Sequence, residues 1–353
     1  MAEYISFQPS DHYNTKLYTG TGAELAITGV GFQPDLVWVK NRDSANSHQL
    51  YDAVRGTTKY IESDNTTVEL TSSDGITTFG ADGFTLGGNL TGANNSGDDF
   101  ASWNWKANGS GSANTDGAIN STVSANTTSG FSIVSYTGTL SGNGNTTVGH
   151  GLGAVPKMII TKSKSNAENW GVYHKDLTAN HILQLNTTSA QINTTSEGTV
   201  TAPTSSVFTV NYRGEYGNSG QNYIAYCFAE KKGYSKFGSY TGNTSTTDGP
   251  FSFCGFRPNF VLIKNTADAE AWQLFDGKRA GYNAYNYRLY PNNTSAEATS
   301  TNYIDLLSNG FKIRTGSGST AQHDVNSSGK LFIYAAFAEF PLVSSNDIPV
   351  TAR

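Results

Sequence analysis

The chain has 353 residues, a formal net charge of -5 and a pI near 5.7, with only 14% charged residues against 12% aromatic and 38 glycines. The 23 basic residues are scattered, and Lys231-Lys232 is the densest pair, so the clustered charge a phosphate backbone demands is missing and a nucleic-acid partner is not expected. No run of about 20 apolar residues predicts a membrane span, and Met1 opens no charged and then apolar leader, so synthesis without a signal peptide and no membrane insertion are expected.

The composition favours short strands and polar turns over helices, because no window sustains a 3.6-residue period in good helix formers. Tyr4-Ile5-Ser6-Phe7 belongs to an expected N-terminal arm, residues 1–15. Then comes a phrase that is written three times. Tyr18-Thr19-Gly20 precedes the turn Gly31-Phe32-Gln33-Pro34, the run Leu36-Val37-Trp38-Val39-Lys40 and Tyr51. Tyr136-Thr137-Gly138 precedes Leu152-Gly153-Ala154-Val155-Pro156, the run Met158-Ile159-Ile160-Thr161-Lys162 and Tyr173. Tyr240-Thr241-Gly242 precedes Gly255-Phe256-Arg257-Pro258, the run Phe260-Val261-Leu262-Ile263-Lys264 and Phe275. Proline to aromatic is 17 residues in each copy, so the register carries no gap.

The copies also end alike, at Phe100-Ala101-Ser102-Trp103-Asn104-Trp105-Lys106-Ala107, at Tyr223 to Glu230 and at Phe332 to Glu339, and carry an internal Asn-Thr marker at Asn65, Asn186 and Asn293. The steps from Tyr18 to Tyr136 to Tyr240, 118 and 104 residues, exceed solenoid periods and suit domain-sized units. The runs after each proline are apolar on both faces, as strands covered on two sides are, whereas Phe131 to Tyr136 and Phe311 to Thr315 alternate as half-buried strands do. Turn signals such as Ser73-Asp74-Gly75, Ala81-Asp82-Gly83 and Ser308-Asn309-Gly310 separate them. The expected fold is all-β: three tandem β-sandwich domains of jelly-roll or concanavalin-like kind, at 16–108, 130–232 and 233–340, with a C-terminal tail at 341–353. The Gly/Ser/Asn/Thr stretch 109–129 predicts a linker that uncouples copy one and lets it sit at an angle, while copies two and three, joined without slack, pack as one unit.

Chemistry is sparse. Gly87-Gly88 and Gly316-Ser317-Gly318 lack the Lys-Ser/Thr or the following helix of a nucleotide loop. The six histidines are isolated in sequence, and although His174 and His181 could meet in space, no metal and no cofactor is expected. Asp52, Glu69 and Asp98-Asp99 qualify for glycoside chemistry only by being acidic, and the place of Asp52 passes to His174 and Asp276 in the other copies. Cys227 and Cys254 lie in different copies and read as buried free thiols. The Asn-x-Ser/Thr triplets, Asn65, Asn89, Asn126, Asn145, Asn186 and Asn193 among them, follow from composition rather than glycosylation.

Aromatics remain as binding candidates. His48, Trp170 and Trp272 each stand 14 residues beyond the proline, where a Trp face would either stack on a sugar or cap the core. Tyr282, Tyr285, Tyr287 and Tyr290 form a cluster peculiar to copy three, suited to a ligand or to packing between chains.

The phrases from Gly31 to Arg42, from Tyr51 to Gly56 and Gly233-Tyr234-Ser235-Lys236-Phe237-Gly238-Ser239-Tyr240-Thr241-Gly242-Asn243 resemble a β-rich repeat domain found in virion proteins of tailed marine phages, cyanophages included, often described as tail fibres. The similarity spans about Tyr4 to Phe340. It implies a non-enzymatic virion protein made in the host cytoplasm, with other tail or head proteins as partners. A tail-fibre or appendage component that binds a host glycan receptor, with homotrimeric multivalency raising weak affinities, is the first expectation. Capsid decoration or a head fibre is the second, and a glycan depolymerase the third. No catalytic residue follows from the resemblance.

Overall fold

A computed structural model describes residues 8–245, 247–283, 286–299, 303–315 and 321–340; the arm residues Tyr4 to Phe7, the 341–353 tail, Tyr285 and Gly316-Ser317-Gly318 lie outside them. The fold is all-β, with two short helices, Gly277–Ala280 and Ala321–Val325, and one 3-10 turn at Pro9–Asp11 among the described residues. No helix there is long and apolar enough to cross a membrane.

Each copy has a large antiparallel sheet with the same central order. In copy one the strand Tyr13–Thr19 pairs with the last strand Asp99–Trp105, which pairs with Leu36–Asn41, which pairs with Gln49–Asp52. In copy two the order is Phe131–Thr137, Asn222–Ala229, Pro156–Ser163 and Gly171–His174. Copy three repeats it with Ser235–Thr241, Leu331–Phe337, Phe260–Asn265 and Gln273–Asp276. A small sheet covers one face of each: Leu25–Ile27, Gly83–Leu86 and Ile76–Gly80 in copy one, Asn145–Gly149 with Val207–Asn211 in copy two, and Phe251–Phe253, Gly310–Ile313 and Ile304–Leu307 in copy three.

The repeated Tyr-Thr-Gly has a mechanical reason. Tyr18, Tyr136 and Tyr240 lie flat on Phe100, Tyr223 and Phe332 of the last strand, with centroids 5.1–5.2 Å apart. Their hydroxyls donate to the main-chain carbonyls of Ala93, Tyr216 and Val325, at 2.7–2.8 Å, and so pin the loop that leads into that strand. The glycine lets the loop come close: a Cβ on Gly20, Gly138 or Gly242 would lie 2.2–2.4 Å from a carbonyl oxygen. The turn before each proline needs a left-handed residue, met by Gly31, Gly153 and Gly255 at φ of 90°, 64° and 80°. Copy two therefore keeps the turn even though Ala154 stands where Phe32 and Phe256 stand.

The doubly apolar strands are covered on two sides, but the second cover is the other copies. Val37 and Val39 face the small sheet of copy one, while Leu36 and Trp38 enter a core shared with Met158 and Ile160 of copy two and Phe260 and Leu262 of copy three. Trp105, Phe228 and Phe337, which occupy the same place in the three last strands, meet there with centroid separations of 6.3, 5.6 and 5.6 Å. Copy one is therefore packed into the centre rather than set at an angle, because each large sheet has an apolar face that only the other two copies can bury.

Two boundaries shift. The 109–129 stretch read as a linker carries the strands Ser112–Asn114 and Ser121–Asn126, which extend the large sheet of copy two. Ser-Thr-Val-Ser-Ala is polar enough to sound like a linker, yet it pairs on both sides, with Ser112–Asn114 and with Phe131–Thr137, and Ser121, Val123 and Ser124 are buried. The arm 1–15 gives up Tyr13 to Thr15, which begin the first large-sheet strand.

Candidate functional site

The three aromatics brought forward by their common spacing are fully buried, at 0% exposure for His48 and Trp170 and 1% for Trp272, and stand between copies. Trp170 donates its indole N–H to the Glu62 carbonyl of copy one, and Trp272 to the Gln184 carbonyl of copy two, each at 2.9 Å. In copy one the place is held by His48, whose Nδ1 accepts the Trp38 indole N–H at 3.0 Å; Nε2 then carries the proton and faces the Tyr290 carbonyl of copy three, without completing a good hydrogen bond. Burial, with Lys40 and Arg279 nearby, holds this imidazole well below the usual histidine range, so it stays neutral. The main-chain N–H of the three residues is capped by the side chains of Asp64, Asn186 and Asn292. The Asn-Thr markers thus align with Asn186 against Asp64 and Asn292, one residue ahead of Asn65 and Asn293, which instead close local turns onto Thr67 and Ser295.

The contacts run in one cyclic direction. Glu69 N–H donates to the Lys164 carbonyl, Gln191 N–H to the Thr266 carbonyl and Glu297 N–H to the Arg42 carbonyl, at 3.0, 2.9 and 2.8 Å. The three acceptors sit at the same distance beyond their prolines, 34 to 42, 156 to 164 and 258 to 266. Copy one leans on two, two on three and three on one, and such a head-to-tail interface closes a ring. Two of the lysines that end the apolar runs serve it too: Lys40 Nζ donates to the Thr294 carbonyl of copy three and Lys162 Nζ to the Thr66 carbonyl of copy one, each at 3.1 Å, while Lys264, equally buried, donates to the Asn265 and Asp268 carbonyls of its own copy. Burial pushes Lys40, Lys162 and Lys264 down to about 8.

The acidic candidates are fasteners as well. Asp52 binds Arg55 at 2.5 Å and accepts the Tyr226 hydroxyl of copy two at 2.8 Å. Asp276 pairs with Arg279 and accepts the Trp103 indole N–H of copy one at 3.1 Å. Where copy two has His174, the arginine is replaced by Leu177 and the cross-copy donor by Ala335, and His174 Nε2 donates to the Tyr334 carbonyl at 3.2 Å. Carboxylate, arginine and donor are kept or lost together. Glu69 lies 3.7 Å from both Arg55 and Lys59, and Asp98 and Asp99 accept hydrogen bonds from Asn41 and Thr19.

His174 and His181 do line one surface groove of about 380 Å³, with Tyr173, Leu177, Asn180 and Val200. Both nitrogens of His174 are engaged with main chain, Nδ1 accepting from Asp176 N–H, and burial holds its pKa down at about 4. No group of three His, Cys, Asp or Glu that could hold a metal occurs among the described residues. At the centre the three copies leave an apolar gap of only about 20 Å³. Cys227 and Cys254 are buried free thiols.

What copy three exposes is different. Tyr282 is 85% exposed. Tyr287 and Tyr290 are half-buried, with the Arg288 guanidinium 5.1 Å from the Tyr290 ring and 4.3 Å from Tyr303. Phe251 and Phe253, 47% and 62% exposed, were not singled out by the sequence reading. The signal was a missing residue: Ile27 opposes Phe84 and stands four before Gly31, whereas Ser252 opposes the matching Phe311 and stands three before Gly255. One residue fewer turns the strand over, so serine faces the core and both phenylalanines face out.

A threefold phrase that proves to be the closure of one ring describes a single architectural unit spanning nearly the whole chain. No curated protein matches it. A family model described as a domain of unknown function, DUF7483, matches residues 8–341, and the chain belongs to that family.

Proposed function

We propose that the protein is a non-enzymatic structural protein of a tailed-phage particle, a tail-fibre or appendage component that contributes to binding a host glycan or attaches that machinery to the tail. The phage context rests on the resemblance of the Gly31 to Arg42 and Gly233 to Asn243 phrases. The observation that carries the structural role is the ring: Trp170, Trp272, Asp52 and Asp276 are consumed in fastening copy to copy. We read each two-layered copy as a β-sandwich of jelly-roll or concanavalin-like kind. The ring supplies within one chain the threefold arrangement that a homotrimer supplies with three, so one chain per position is expected, with light scattering on the purified protein as the check.

Any glycan contact falls to the copy-three surface around Tyr282 rather than to His48, Trp170 and Trp272. Purified protein should block phage adsorption to host cells, and Tyr282→Ala should weaken the block while leaving the melting temperature in place. The compactness of the ring favours a second reading, decoration of the capsid: even labelling of the head shell by specific antibody, with no adsorption block, selects it over the first. Haloes around plaques or release of reducing ends from host polysaccharide would overturn both in favour of a depolymerase.

A further inference from the structure

Just beyond the last strand of copy three, the Glu339 carboxylate, with its side chain only 3% exposed, holds two groups at once. Oε1 takes the Lys278 ammonium at 2.7 Å, and Oε2 accepts the Asn259 carboxamide N–H. The backbone keeps the three in place: Asn259 N–H donates to the Phe337 carbonyl at 2.7 Å, and Gly277 N–H, next to Lys278, donates to the Asn259 carbonyl at 2.8 Å. The Phe340 ring stands 5.5 Å from Lys278 Nζ.

We propose that this is a site of covalent modification, in which Lys278 is joined to Asn259 through an amide bond with Glu339 as the proton relay. A carboxyl shielded from water between an amine and a carboxamide has the placing that general acid-base catalysis requires. Burial raises the Glu339 carboxyl above its usual range, against the pull of Lys278, which suits it to a relay that takes up one ammonium proton during the reaction. The freed Nζ lone pair attacks Asn259 Cγ, the Nζ–Cγ bond forms, and Glu339 gives its proton to Nδ2 while taking one from Nζ. The Cγ–Nδ2 bond breaks, ammonia leaves and Glu339 ends as a neutral carboxyl. Protons and charge balance with no oxidant, reductant or co-reactant.

The other copies are internal controls. Matching positions hold Asp35, Val54 and Ala107 in copy one and Lys157, Asp176 and Glu230 in copy two, so neither carries the amine, carboxamide and carboxyl together. The bond would stitch the head of the strand Phe260–Asn265 to the helix Gly277–Ala280, beside the Asp276 that receives Trp103 of copy one.

Intact-mass spectrometry of the purified full chain under denaturing conditions tests this. The expected result is a mass lower than the sequence mass by one ammonia, no tryptic cleavage after Lys278 and a branched peptide joining it to Asn259. Lys278→Arg, which keeps the ion pair, and Glu339→Gln should each show the full mass in protein that still melts cooperatively. A full mass in the unaltered protein, or ammonia loss without the branched peptide, overturns the proposal and leaves the three residues as a polar clasp.

Discussion

Gly20, Gly138 and Gly242 recur because a carbonyl oxygen passes where a side chain would begin. Gly20→Ala should therefore cost more than an exposed glycine change, about 2–4 kcal/mol, since backbone rather than a flexible side chain would have to move; urea denaturation checks it. The spacing of Trp170 left it open between sugar stacking and core, and its hydrogen bond to another copy was not legible, because nothing local says which carbonyl lies opposite. Trp170→Ala should destabilise by about 3–5 kcal/mol through a cavity plus an orphaned Glu62 carbonyl, without altering adsorption to host cells. Asp52→Asn leaves Arg55 buried beside a neutral partner, and a loss of about 3–5 kcal/mol is expected.

Among the elements, the doubly apolar strands were readable in the sequence, and the strand Gly310–Ile313 of the small sheet in copy three followed from its alternation. One element was misread and one was not foreseen. The strands inside 109–129 have a linker's composition, and only pairing with Phe131–Thr137 makes them strands. Phe251–Phe253 looks like an ordinary half-buried strand, since period-two patterning shows that one face differs from the other but not which face is inward. Replacing Phe251 and Phe253 by threonine should leave stability within about 0.5 kcal/mol, as a change at a solvent face does, and this is measurable by thermal melting.

The whole molecule has one central core built from all three copies. Calorimetry should accordingly give a single cooperative transition, with calorimetric and van't Hoff enthalpies in agreement, rather than three. The buried lysines add a pH dependence. Their folded pKa values, about 8, lie below the ordinary 10.5, so between these limits the unfolded chain holds protons that the folded chain has released, and stability rises with pH. Above about pH 10 the buried tyrosines reverse the trend, because burial raises Tyr13, Tyr51 and Tyr136 and only their unfolded forms ionise. A stability maximum near pH 10 is expected from melts between about pH 7 and about pH 11, and Lys40→Met should flatten the rise.

By itself the sequence determined that the chain is β-rich and written in three copies and which strands are covered on both faces, because these are properties of local pattern and spacing. What covers those strands was decided only by the tertiary structure. The head-to-tail order of the copies, the pairing of Asp52 with Tyr226 and of Asp276 with Trp103, and the meeting of Lys278, Glu339 and Asn259 join residues far apart in the chain. A residue's own neighbours carry no information about such partners, since the energy that selects them is released only when three apolar faces close on one another.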